Sequence, residues 1–175
     1  MIMGSDMSTK QDLDRVCINK DAKVITYPFS YLFKGFENVS AVKQLFGKDT
    51  KKVLSKLRVA VYEADVKWGG YLWVDEKNKC IVCNLEYIKT EEKKYVYLDV
   101  VHELVHIRQL LQKKELFDVN YAYTDRPTEL EAYKVTVEEA RRLGMKKQEI
   151  VSYLRAEWIP EKEFKQFIKH LGLPD

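Results

Sequence analysis

Neither glycine nor proline interrupts the stretch from Tyr95 to Lys113, where Val96, Val100, Val101, Leu104, Val105, Leu110 and Leu111 recur at helical spacing. The pattern predicts one long helix, preceded by Glu91 and Glu92, where acids suit the positive end of the helix dipole. Upstream, Glu37 to Phe46 has helical spacing with Gly47 as its stop, and Asp49 can cap a second short helix through Leu57. Three strand candidates follow: Leu57 to Tyr62, Tyr71 to Val74 after the turn signal Gly69-Gly70, and Cys80 to Leu85 after the polar hairpin loop Asp75 to Lys79. Downstream, Lys114 to Arg126 reads as a connector. Pro127 marks a helix from Thr128 to about Leu143 that stops at Gly144. A further helix spans Lys146 to Glu157, and Glu161 to Leu171 forms a last amphipathic one. Helices, a small sheet, then helices make an α+β arrangement.

The chain of 175 residues suits one domain with a modest core. We read residues 1–24 as a flexible or loosely docked extension, 25–145 as the core and 146–175 as a C-terminal helical segment. With 46% apolar and 33% charged residues the composition is that of a globular protein and excludes a wholly disordered chain. A net charge of +3 is too small to argue for nucleic acid, and the basic pairs are interspersed with acids. No apolar run approaches the ~18 residues of a membrane span, and Met1 to Asp14 lacks the apolar core of a secretory signal. Three cysteines cannot make a disulfide framework. The expectation is a cytoplasmic protein with no membrane and no nucleic-acid partner. Cys80 and Cys83 lie three apart on a strand, hence on opposite faces, and read as small packing residues rather than a metal or redox pair.

The chemistry concentrates in His102-Glu103-Leu104-Val105-His106 on the long helix. Residues i and i+4 stack one turn apart on one helix face, so both imidazoles can reach one tetrahedral cation. Glu103 projects beside them, close enough to take a proton from a water on that cation. Two histidines do not complete a zinc site, and Asp118, Asp125, Glu129, Glu131 and His170 are the downstream candidates for a third ligand. Helical phase separates the two glutamates. Glu129 shares a face with Ala132, Tyr133, Thr136, Val137, Ala140 and Leu143, the core-facing stripe. Glu131 shares one with Lys134, Glu138, Glu139 and Arg142, the solvent face. A carboxylate on the inward stripe needs a partner, and a metal would be one; Glu129 is preferred and Glu131 is the alternative.

His102-Glu103-x-x-His106 followed on a second helix by Glu129-x-x-Ala132 resembles the gluzincin branch of the zincin metallopeptidases, over roughly residues 57 to 143. The resemblance implies a zincin-like fold: a small twisted, mostly antiparallel sheet packed on an active-site helix, with a glutamate helix supplying the third ligand. It implies one Zn2+ ion and peptide hydrolysis with Glu103 as general base. The substrate would be a peptide or protein bound as an extended strand, with Cys80 to Leu85 as the edge strand that receives it. Tyr123, or Tyr121, would stabilise the oxyanion. Tyr133 stands where such families often carry an Asp that orients a ligating His. Asp99 and Arg108 place charge beside the motif, and Asp99 could itself support a ligand. His170 is remote and reads as a surface residue. Branches that use a third histidine soon after the first pair are excluded, because none lies between His106 and His170. The rival reading is a non-catalytic or autoinhibited zinc-binding regulator, whose C-terminal helices could occupy the cleft.

Overall fold

The computed structural model describes residues 12–64 and 71–173. A four-stranded sheet runs in the order β2 (Thr26–Pro28), β4 (Arg58–Tyr62), β6 (Cys80–Asn84), β5 (Leu72–Asp75), and β1 (Cys17–Ile18) pairs separately with β3 (Phe33–Lys34). In the larger sheet β2–β4 and β5–β6 are antiparallel and β4–β6 is parallel. The arrangement is α+β, with two of the larger sheet's three pairings antiparallel. The β5–β6 hairpin turns where Asp75 accepts from the backbone N–H (3.0 Å) and side-chain amide (2.6 Å) of Asn78.

One expectation is reversed by the topology. Cys80–Asn84 lies between β4 and β5 and is an interior strand; β5 holds the edge nearest the long helix. The near-continuous burial of β6, with Cys80, Ile81, Cys83 and Asn84 all covered, is the signature of that interior position. Cys80 and Cys83 are both buried and unbridged.

The helices are α1 (Phe29–Leu32), α2 (Ser40–Phe46), α3 (Thr50–Lys56), α4 (Leu85–Thr90), α5 (Lys93–Leu111), α6 (Pro127–Arg142), α7 (Lys147–Leu154) and α8 (Glu161–His170). Asp49 makes no side-chain cap to α3; Thr50 instead donates to the Gly47 carbonyl at 2.7 Å. α4 falls in a stretch with no expected element. The buried Asn84 makes it, ending β6 and capping the helix by accepting from the N–H groups of Glu86 (2.9 Å) and Tyr87 (3.5 Å). Gly144, at φ 79°, closes α6.

α5 is buried almost all round, the position of a central helix rather than an amphipathic surface one. It packs against β5, α2 and α6. Residues 12–24, read as part of an extension, dock on the body: Val16 and Ala22 are buried, and Cys17 pairs with Lys34. The turn signal Gly69-Gly70 lies outside the described residues. At the other end Ile150, Leu154, Phe164, Phe167 and Ile168 enter the same apolar core, so α7 and α8 complete it. No helix among the described residues is long and apolar enough to cross a membrane.

Candidate metal centre

α5 and α6 pack side by side and bring His102, His106 and Glu129 together, all buried. The two Nε2 atoms are 3.0 Å apart, and Oε2 of Glu129 lies 3.4 Å from Nε2 of His102 and 3.5 Å from Nε2 of His106. Zinc bonds of ~2.0–2.1 Å to nitrogen and oxygen give tetrahedral edges of roughly 3.3 Å, so the triangle has the size of one face of such a site.

Hydrogen bonds around the triangle assign the ring protons. The Gln109 amide nitrogen donates to the Thr128 carbonyl (3.0 Å) and to Oε2 of Glu131 (2.8 Å), which turns Oε1 of Gln109 toward Nδ1 of His106 at 2.7 Å. The Thr136 hydroxyl donates to the Ala132 carbonyl (2.9 Å) and so faces Nδ1 of His102, at 3.5 Å, as an acceptor. Each ring therefore keeps a proton on Nδ1 and turns Nε2 inward, where deprotonation leaves a lone pair for a metal ion. Oε2 of Glu129 has no hydrogen-bond partner. Three such atoms facing one another could hold a metal ion, and in its absence a proton on His106 meets Glu129.

The ionisation of the groups expresses the same need. Burial pulls His106 down, but Glu129 and Glu103 outweigh it and lift it to about 9. Burial pushes Glu129 up, yet the two imidazoles hold it well below the usual carboxylate range. Burial also lowers His102, against the pull of Glu129. Arg126, 4.0 Å from Oε1 of Glu129, faces the other carboxylate oxygen.

Glu103 is buried and, with His102, lines a cleft of about 960 Å³. The Val74 N–H of edge strand β5 donates to its carboxylate, while Oε2 has no partner. Burial pushes it up to about 8, with the His106 charge opposing. A carboxylate anchored on one side and free on the other, with raised proton affinity, is suited to accept a proton near neutral pH. Tyr123 lines the same cleft, its hydroxyl 2.8 Å from that of Tyr133. Tyr133 packs edge-on against the His102 ring at 4.4 Å between centroids, so it positions the ring by contact.

The other candidates lie elsewhere. Glu131 is bound by Arg108 (2.6 Å) and Lys114 (2.8 Å), so the expected intrusive charge of Arg108 is spent on orienting the Gln109 anchor. Asp118 accepts from the backbone of Asn120, and Asp125 pairs with His170 at the surface, 3.7 Å apart. Tyr121 is exposed. Asp99 does not reach a ligating ring; it accepts hydrogen bonds from Tyr87 and Tyr153. Glu139, placed on the solvent face of α6 by helical phase, is fully buried, because Tyr97 (2.5 Å) and Arg142 partner it.

Sequence reasoning missed Gln109 and Thr136. Both carried a signal: Gln109 sits three residues after His106 on the ligand face, and Thr136 is a hydroxyl on the inward stripe of α6. Comparison with known proteins adds no relative: no family model, no curated protein and no solved structure matches the chain.

Proposed function

We propose that the chain is a zinc-dependent metallopeptidase of gluzincin type. The observation that carries the reading is the inward-facing set of two Nε2 atoms and the unpartnered Oε2 of Glu129, set beside Glu103, which has an unpartnered Oε2 and lines a cleft. Two imidazoles and one carboxylate are a donor set that zinc takes in hydrolytic sites. His102, His106 and Glu129 would hold the ion. When bound, zinc supplies Lewis acidity, lowering the pKa of a water and polarising the scissile carbonyl.

The remaining work belongs to the protein. Glu103 accepts the proton of the attacking water at its free oxygen and returns it to the leaving amine. Tyr123, supported by Tyr133, offers a hydroxyl to the oxyanion. The outer edge of β5 is the place for an extended peptide to add as a further strand, the role the resemblance gave to Cys80–Leu85.

The test combines metal analysis with hydrolysis of an unstructured protein such as casein. The unmutated chain is expected to hold about one zinc per molecule, and His106→Ala to lose it. Glu103→Gln should retain zinc and lose cleavage. Equal zinc in the first pair removes the ligand assignment. Zinc bound without any cleavage by the unmutated chain rejects the peptidase and leaves a zinc-binding regulator.

A further inference from the structure

The face of α5 that presents His102, Glu103 and His106 continues one turn toward the N-terminus to Asp99, about 4.5 Å along the axis from His102 at 1.5 Å per residue. Asp99 lines the same cleft, half-buried in its wall. Its two oxygens accept from Tyr87 of α4 and Tyr153 of α7, one each. An ionised carboxylate has about four acceptor positions, so each oxygen keeps capacity for a donor arriving from the cleft. Tyr71, stacked on Tyr87, Tyr95, stacked on Tyr153, and Trp158 also line the cleft, so each tyrosine that donates to Asp99 carries a second ring.

The charge here is opposite to that of the whole chain. The molecule carries +3, yet among the described residues Glu91, Asp99 and Glu157 line the cleft, beside the Glu103 carboxyl, against a single cation, Arg155. Arg155 is committed elsewhere, paired with Glu161 at 2.8 Å and stacked over Phe164 at 4.5 Å. Glu103, buried with one carboxylate oxygen unpartnered, is a further acceptor in the lining of the cleft. An acidic side chain entering would meet carboxylates of its own sign, and a neutral one would gain nothing from them. An ammonium or guanidinium satisfies them and gains the ring faces as well.

We propose that the cleft beside the metal centre is a subsite for a cationic side chain, lysine or arginine, of a bound peptide, with Asp99 receiving the charge and the tyrosines and Trp158 enclosing the alkyl stem. The assignment of that peptide as a substrate rests on the peptidase reading; the binding preference does not.

The test is therefore a binding measurement on the chain kept metal-free with chelator, so that no peptide is cut and Glu103 is retained, by fluorescence anisotropy with dye-labelled alanine hexapeptides carrying one central Lys, Arg, Leu or Glu. The Lys and Arg peptides are expected to bind at least tenfold more tightly than the Leu peptide, and the Glu peptide most weakly. Asp99→Asn under the same conditions should reduce the Lys-to-Leu ratio to about one, with an unchanged melting temperature as the check on folding. Equal affinity for the Lys and Leu peptides overturns the subsite, and that comparison needs no Asp99 variant. A preference that survives Asp99→Asn in folded protein overturns the role of Asp99. Failure of the peptidase reading shows separately, as absence of cleavage by the unmutated chain with the Lys preference intact.

Discussion

The side-chain carbonyl of Gln109 lies 2.7 Å from Nδ1 of His106, and its amide nitrogen is fixed by the Thr128 carbonyl and Glu131. This chain of contacts links α5 to α6 and sets which way the His106 lone pair points. Gln109→Leu, similar in size but unable to accept, is expected to weaken zinc affinity 10- to 100-fold. Competition against a chelator of known affinity measures it. An unchanged affinity would show that ring packing alone orients His106.

Tyr123 and Tyr133 share a hydrogen bond, and the proposed mechanism gives them different jobs: the first would support the oxyanion, while the second packs against the His102 ring. Tyr123→Phe is expected to lower kcat by about 10- to 100-fold with KM nearly constant, the pattern of an interaction made in the transition state. Tyr133→Phe keeps the aromatic edge and should lower kcat by less. Steady-state kinetics decide it, and a larger loss for Tyr133→Phe would exchange the two roles.

The metal-free protein should lose stability as pH rises from about 6.5 to 9. In the fold Glu103 is pushed by burial to about 8, from 4.5, and so holds a proton that the unfolded chain releases. His106, lifted to about 9 from 6.5, does the same across the whole range, while Glu103 contributes up to about pH 8. Both make the folded state bind more protons than the unfolded one, so stability falls as pH increases. The combined loss is on the order of a few kcal/mol. Zinc replaces the proton between the ligands and should abolish most of the decline. Thermal melts in chelator and in zinc across this range test it, and a melting temperature that rises with pH in chelator would contradict it.

Gly35→Ala should be among the most damaging small substitutions. Gly35 sits at φ 92°, and a Cβ there would lie 2.4 Å from the Arg15 carbonyl oxygen. Backbone strain and a clash with main chain act together, for a loss of about 2–4 kcal/mol. Urea unfolding would measure it; a loss below about 1 kcal/mol would show that residues near Arg15 can move away.

The elements most legible in the sequence were those with long periodic runs. α5, α6 and α8 follow directly from apolar spacing together with Pro127 and Gly144. Glu129 was found because a charge on an inward stripe demands a partner. The interior place of β6 was not legible, since a short apolar run has the same appearance in the middle of a sheet as at its edge. α4 was hidden because a single side chain, Asn84, makes its start. Glu139 was misread because helical phase gives direction but not the length of a neighbour's reach; Tyr97 and Arg142 come from beyond the stripe. The Asp99 cluster was invisible for a similar reason: its partners lie 12 residues before and 54 after it in the chain.

The far wall of the cleft has a consequence for the order of synthesis. The three candidate ligands, His102, His106 and Glu129, precede Tyr153 and Trp158 in the chain. A growing polypeptide therefore possesses its ion ligands before it possesses the surface that would retain a peptide over them. If the centre is the peptidase proposed above, a nascent chain that captures zinc before Tyr153 and Trp158 emerge holds the ion without that wall of the cleft.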